Sequence, residues 1–282
     1  VMVQALTHGN EFCGAIAAAG LLQSGLRPVA GRLVVAFANV ERFARFDADD
    51  PDRARYIDED YNRVWHDDAL FGARDSIELR RARALQPFVD AADLLLDLHS
   101  MHEPCRPIMV CGVAGRGGDK AVALSRRLGV PGDLLLDTGH PSGLRMIERG
   151  GFGDPASPRT ALLIECGQHW AAASAEVARD TLWRFLRAAG VIDAATAQPW
   201  LRAAPAPQQR VIHVTEPVVA ESMDFRFAGD WRGLEVIARA GTPIAFDGAR
   251  TWTTPYDDTV LVMPSLRHRA PGTTMVRLGR IG

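Results

Sequence analysis

The stretch Val1-Met2-Val3-Gln4-Ala5-Leu6-Thr7-His8-Gly9-Asn10-Glu11 passes from an apolar run into a polar turn, and a helix-like segment over 12–22 follows directly. His8 is therefore expected where a strand ends and a helix begins. Residues three apart on a starting helical turn face the same way, so His8 and Glu11 can reach one ion, while Gly9 relieves crowding where the backbone bends sharply. A second run, Asp93-Leu94-Leu95-Leu96-Asp97-Leu98-His99, reads as a buried strand whose last residue emerges at a sheet edge. In open α/β sheets the carboxyl edge is where sites gather. Two neutral imidazoles and one carboxylate suit Zn²⁺, and three protein ligands leave a position open for water, which separates a catalytic site from a closed structural one. His8, Glu11 and His99 are the candidate ligands of one zinc ion per chain.

Around these runs short apolar segments alternate with amphipathic ones, the pattern of a largely parallel sheet covered by helices. Strands are predicted at 1–6, 32–39, 94–99, 107–111, 134–137 and 161–166, and helices at 11–23, 76–91, 119–128 and 170–189. The polar, Asp- and Arg-rich connection 47–68 breaks the alternation, and long irregular connections inside compact domains are often functional. A second break falls at 195–209, where Pro199, Pro205 and Pro207 stand among Ala and Gln. Beyond it come short β-like runs at 210–214, 218–222, 234–238, 260–264 and 274–278. The expected organisation is an α/β catalytic domain over 1–195, a linker over 196–209 and a small β-rich domain over 210–282.

Glu165 ends the apolar run 161–166 as His99 ends 94–99, so adjacent strands would present it across a cleft from the metal. A carboxylate so placed can act as general base and then general acid; the plainer alternative is a strand-end salt bridge. Asp60 and Asp97 are candidates to accept a proton from a ligating imidazole, and Asp97, two before His99, shares its face. Asn39, at the end of another strand, is a candidate to line the cleft. His102 makes His-x-x-His with His99 but is read as a pocket or surface residue, not a fourth ligand. His140 and His169 are read as ordinary loop residues, and His66, His213 and His268 have no partner motif. Cys166 alternates with Glu165 and should face the opposite side of the strand, as a core thiol.

Taken together, Leu6-Thr7-His8-Gly9-Asn10-Glu11, Arg55-Tyr56-Ile57-Asp58-Glu59-Asp60-Tyr61-Asn62-Arg63, Asp97-Leu98-His99 and Glu165-Cys166-Gly167 occur in an order that is specific. The chain resembles the succinylglutamate desuccinylase and aspartoacylase family, a branch of the zinc carboxypeptidase-like metallohydrolases. The resemblance implies that fold, with an appended β domain leaning over the active-site mouth. It implies an arginine at Arg55 that polarises the scissile carbonyl, and Asn62 and Arg63 gripping a substrate carboxylate, a task that suits the planar guanidinium fork. Arginines in Asp-rich loops are otherwise commonly surface ion pairs. Tyr256, in Thr253-Thr254-Pro255-Tyr256-Asp257-Asp258, becomes a candidate for the pocket wall, or else a turn-flanking aromatic. Tyr61 stands where Leu is usual, and Pro155 stands roughly where aspartoacylases carry an arginine for a substrate carboxylate. The resemblance thus carries the catalytic set but not the recognition of N-acetylaspartate.

With 282 residues, 47% of them apolar, and a formal net charge of −2, the chain can bury a large core. Lys and Arg form no run beyond pairs such as Arg80-Arg81, so the footprint of a phosphate-backbone binder is missing and no nucleic-acid partner is expected. No stretch approaches the roughly 20 uninterrupted apolar residues of a membrane span. Cys13, Cys105, Cys111 and Cys166 lack both C-x-x-C spacing and disulfide-framework density, which points to reduced thiols. No leader-like segment is visible, and the expected location is the cytoplasm. The expected partner is a small N-acylated substrate, and a homo-oligomer is compatible with the sequence. The reading is a zinc-dependent amidohydrolase acting on N-acyl amino acids. Its rivals are a metallocarboxypeptidase acting on peptides and a non-catalytic metal-binding protein of the same fold.

Overall fold

The computed structural model describes residues 1–203, 207–266 and 269–282; Pro205 of the expected linker and His268 lie outside the described residues. The strands are β1 (Met2–Ala5), β2 (Val34–Phe37), β3 (Leu94–Met101), β4 (Ile108–Val113), β5 (Asp133–Asp137), β6 (Thr160–Gln168), β7 (Arg210–Val219), β8 (Arg226–Phe227), β9 (Glu235–Ile237), β10 (Pro243–Asp247), β11 (Arg250–Thr253), β12 (Thr259–Val262) and β13 (Thr274–Ile281). The helices are α1 (Phe12–Gln23), α2 (Val40–Phe43), α3 (Asp67–Leu70), α4 (Ile77–Asp90), α5 (Gly118–Leu128), α6 (Ala172–Ala188) and α7 (Ala194–Ala197). A ten-stranded sheet runs β2-β1-β3-β6-β4-β5-β7-β13-β12-β9, and β11-β10-β8 forms a second, three-stranded sheet. The large sheet is parallel from β2 to β6, antiparallel between β6 and β4, parallel again through β5 and β7, and antiparallel beyond. This is the mixed, mostly parallel, helix-flanked α/β architecture expected from the alternating pattern.

The strand alternation sorts the core into two layers. Leu95, Ile108, Val110, Leu135, Ala161 and Leu163 pack with Leu79, Ala82, Leu85 and Val89 of α4. Leu96, Leu98, Met109, Leu162, Ile164 and Cys166 face the other way, onto α1, α5 and α6. Cys166 is accordingly a buried core thiol, and all four cysteines are free. Fully burying a Leu- or Val-sized side chain contributes about 1.5–3 kcal/mol, so each layer is a substantial source of stability.

The C-terminal segment does not stand apart from this sheet. Residues 210–213 of β7 pair in parallel with 133–136 of β5, and β13, β12 and β9 extend the sheet from there. Ile212, Val214, Leu234, Val260 and Val262 join the α4-side core layer. The runs expected at 210–214 and 218–222 are one continuous strand ending at Val219, with Pro217 inside it. Past residue 213 its one strand partner among the described residues is β13, so Pro217 lies where one side of the strand has no ladder among them to complete. The expected linker begins inside α7 and continues through a short turn at Gln198–Trp200, whose Trp200 ring stacks on Trp183 at 4.8 Å. The hairpin of β10 and β11, joined by Gly248 and Ala249, and the short β8 were not anticipated. Among the described residues no helix is long and apolar enough to cross a membrane.

Candidate active site

The His8-to-Glu11 segment is a turn that precedes the helix: the Glu11 amide donates to the His8 carbonyl at 3.2 Å and α1 starts at Phe12. Leu6 adopts φ +55°, a strained conformation for a branched side chain, just before the chain enters this turn. Gly9 is needed for space, since a Cβ there would lie 2.6 Å from the Ala54 carbonyl. The Gly9 amide donates to the Arg55 carbonyl at 3.0 Å, which ties the turn to the 47–68 connection.

His8, Glu11 and His99 converge. Their candidate ligand atoms lie within 4.8 Å of one another, all three residues are buried, and they form the only such metal-capable group among the described residues. His8 Nδ1 lies 2.7 Å from Glu11 Oε1, and His99 Nδ1 lies 2.9 Å from Glu11 Oε2. Each imidazole has its other nitrogen against a carboxylate: His8 Nε2 is 3.0 Å from Asp60 Oδ1, and His99 Nε2 is 2.7 Å from Asp97 Oδ2. A carboxylate behind each ring fixes its orientation and raises its basicity, which is what metal-ligating imidazoles need. Both Nδ1 atoms are thus aimed at the Glu11 carboxylate, and the donor set fits zinc. For Glu11, burial pushes the pKa up, but the His8 and His99 charges and hydrogen bonds prevail and hold it well below the usual range.

Behind Asp97 a buried chain continues: Thr7 Oγ1 donates to Asp97 Oδ1 at 2.7 Å, Gln4 Nε2 donates to Thr7 Oγ1 at 2.8 Å, and Tyr61 OH donates to Gln4 Oε1 at 3.4 Å. Tyr61, one of the two departures from the family pattern, therefore backs the His99 support and is fully buried.

Glu165 is the direct neighbour of His99 across the β3–β6 ladder, so the two side chains leave one face side by side. One of its oxygens, Oε2, is buried without a hydrogen-bond partner. Burial raises its pKa to about 8; the His99 charge opposes this, and the Glu11 charge adds to it. A carboxyl poised near neutrality and partly unpartnered can accept and return a proton.

One cavity of about 240 Å³ is lined by His8, Glu11, His99, Glu165, Arg55, Asn62 and Arg63. Arg55 Nη2 donates to Asp60 Oδ2 at 3.0 Å, and its Nη1 lies 3.6 Å from Glu11. Asn62 Oδ1 accepts from the Met146 amide at 3.0 Å, and Arg63 Nη1 donates to the Asn62 carbonyl at 2.7 Å. The connection carrying these residues is pinned by Glu78 in the first turn of α4, which accepts from the amides of Ile57 (2.8 Å), Asp58 (3.1 Å) and Glu59 (3.3 Å).

Two expected pocket residues are elsewhere. Asn39 is buried at the start of α2 and donates from Nδ2 to Glu78 Oε1 at 3.3 Å, so it belongs to the loop anchor and does not line the cavity. Tyr256 is held against β7 and β13, its hydroxyl 2.6 Å from Thr215 Oγ1 and its ring 3.9 Å beneath the Arg280 guanidinium, and it does not line the cavity either. Pro155 is exposed in a turn. Conversely, His140 and His169, read as ordinary loop residues, both line the cavity. His102 does so too, with its ring nitrogens near Asp52 and Glu103 and outside the metal group. His66 caps α3, and His213 is an exposed residue of β7. Arg145 and Arg277 were missed. A buried charge at the end of a loop gives Arg145 no motif, and the one signal for Arg277 is a charge set between the apolar Val276 and Leu278.

A family profile described as the succinylglutamate desuccinylase/aspartoacylase catalytic domain matches residues 1–182. No curated protein matches the sequence. Among solved structures, succinylglutamate desuccinylase from Vibrio cholerae is similar with a TM-score of 0.71 at 19% identity, covering 99% of this chain and 81% of that one. The counterpart from Vibrio parahaemolyticus gives 0.70 at 19% identity with 99% and 81% coverage. Murine aminoacylase 3 gives 0.66 at 18% identity, covering 99% of this chain and 94% of that one. These likenesses establish the shared fold, and the profile match, spanning the metal-capable group, Arg55 to Arg63 and Glu165, shows that the chain belongs to the succinylglutamate desuccinylase/aspartoacylase family, whose members are amide-hydrolysing deacylases.

Proposed function

We propose that this protein is a zinc-dependent deacylase that hydrolyses the amide of an N-acyl amino acid or a similar small, carboxylate-bearing substrate. The observation that carries the reading is the pairing of Glu165 with His99 on adjacent strands, both lining the cavity that His8 and Glu11 also line, with one Glu165 carboxylate oxygen buried without a hydrogen-bond partner. His8, Glu11 and His99 would hold the metal, which when bound supplies Lewis acidity, lowering the pKa of coordinated water and polarising a carbonyl.

Glu165 takes a proton from the attacking water and delivers it to the leaving amine, so that water and amide become a carboxylic acid and an amine. Arg55 donates to the carbonyl oxygen as negative charge develops there, a preorganised stabilisation that is usually the largest single contribution. Asn62 and Arg63 orient the substrate through its carboxylate. A cavity of about 240 Å³ suits a small molecule better than a peptide, which supports a deacylase over a carboxypeptidase. The test is Glu165→Gln assayed on a panel of N-acyl amino acids: zinc binding is expected to persist while kcat falls roughly 10²- to 10⁴-fold. Near-normal kcat in that variant would remove Glu165 from its assigned role.

A further inference from the structure

Past residue 182, where the family profile ends, the cavity gains a wall that no motif announces: Met263, Pro264 and Ser265 follow β12, and Arg277 lies on β13. Arg277 is flanked in its strand by Val276 and Leu278, both buried among apolar side chains, yet its own side chain reaches the cavity. Among the described residues no hydrogen bond or ion pair fixes its guanidinium; its electrostatic neighbours are Asp137 and Arg145.

The other cations of the cavity differ in how far they are satisfied. Arg145 forks onto Asp137 at 2.6 and 2.8 Å and reaches Glu148 at 2.5 Å, so both carboxylates are already engaged. Arg55 has Asp60. Among the described residues Arg63 has only its own neighbour's carbonyl, with its nearest carboxylate, Asp60, at 3.9 Å and already shared by His8 and Arg55. Arg63 and Arg277 therefore enter one cavity from distant parts of the chain as guanidiniums without a carboxylate in hydrogen-bonding reach. Burial lowers the Arg63 pKa to about 10; Asp60 opposes this, and Arg55, Arg145 and Arg277 add to the fall. His140 is pushed down to about 3 by burial and by Arg63, Arg277 and Arg145, so at neutral pH it adds no charge of its own. Such a site is short of one anion, and a carboxylate matches a guanidinium fork.

We propose that Arg277 is a specificity-determining residue that, together with Arg63, clamps a carboxylate of the substrate and makes the enzyme prefer acids over the corresponding uncharged amides. The idea rests on the deacylase reading for its kinetic arm and on geometry alone for its binding arm.

Two measurements test it. In the first, hydrolysis of an N-acyl amino acid is compared with that of its carboxamide; Arg277→Gln is expected to lower the ratio of their kcat/KM values roughly 10- to 100-fold, the loss of one charge-assisted contact. Most of that fall should come from KM for the acid. An equal loss on both substrates, or an unchanged ratio, overturns the proposal. In the second, glutarate binding is followed by calorimetry in metal-free buffer with glutaramide as the uncharged control. Wild type should bind glutarate and Arg277→Gln should bind it at least about tenfold more weakly. Glutarate binding equal in both proteins, or absent from wild type, overturns the clamp whatever the activity. If wild type hydrolyses neither substrate, the deacylase reading fails while an Arg277-dependent glutarate affinity still supports the clamp. Should Arg277→Gln not fold, Arg277→Lys decides, because it keeps the charge and loses the fork. Weaker glutarate binding supports the proposal, and unchanged binding contradicts it.

Discussion

Glu165 illustrates how a single residue takes its chemistry from position. Burial alone would keep its carboxyl protonated, and the neighbouring Glu11 charge works in the same direction against the His99 charge. Catalysis as a base needs the ionised form, so kcat/KM should fall as the pH drops through the Glu165 pKa. That acid limb is expected above the ordinary carboxyl value of 4.5, displaced toward the value of about 8 that burial gives the side chain. A pH–rate profile whose acid limb lay at or below 4.5 would contradict the assignment. Asp97 makes a complementary case, since its two oxygens connect His99 to Thr7, Gln4 and Tyr61. Asp97→Asn should weaken zinc binding by about 10- to 100-fold in a competition assay with a chelating dye. Unchanged affinity would show that the carboxylate behind His99 does not tune the ligand. That His8, Glu11, His99, Glu165, Arg55, Asn62 and Arg63 would meet at one cavity was legible because the proposed chemistry demands particular residue types at strand ends and in one polar loop. Asn39 and Tyr256 were misplaced because a strand end or a turn fixes where a Cα lies and leaves the side chain to local partners, here Glu78 and the Thr215–Arg280 pair.

At the level of elements, the irregular connection carrying Arg55, Asn62 and Arg63 owes its order to a helix start. Glu78 is 1% exposed and accepts three successive loop amides, an arrangement that costs heavily if one acceptor is lost. Glu78→Gln puts a donor among those donors. It should destabilise the protein by about 1–3 kcal/mol in denaturant titration and lower kcat/KM, because the loop that carries the site loses its anchor. Wild-type stability and kinetics would mean that the loop is held by other contacts. The strands and long helices were readable from periodicity to within a few residues, since each buries one face and its apolar spacing must match. The β10–β11 hairpin was not, although Asp247-Gly248 is a turn signal, because the short flanking runs carry little apolar alternation.

On the scale of the whole molecule, composition suggested a separate C-terminal unit, but hydrogen bonding joins that segment to the rest. Texture changes near residue 210 because the strands become antiparallel, with one more solvated side, and not because the sheet ends. A chain ending at residue 209 would expose the edge of β5 and the apolar surface that Ile212, Val214, Val260 and Val262 cover. Such a truncation is expected to aggregate, whereas the full chain should unfold in one cooperative transition. A soluble, folded 1–209 fragment would show instead that the segment is an independent module. The same continuity brings Arg277 and Met263 to the cavity, so the cavity wall and the stability of the sheet depend on the same strands.

The central claim, that hydrolysis depends on one ion held by His8, Glu11 and His99, is tested most directly by returning zinc to chelator-stripped protein while following hydrolysis of an N-acyl amino acid panel. The expected result is no turnover in the stripped protein, and activity on at least one substrate that rises linearly and saturates at one zinc per chain. Full activity without metal, or no activity on any substrate after zinc has bound, would contradict it.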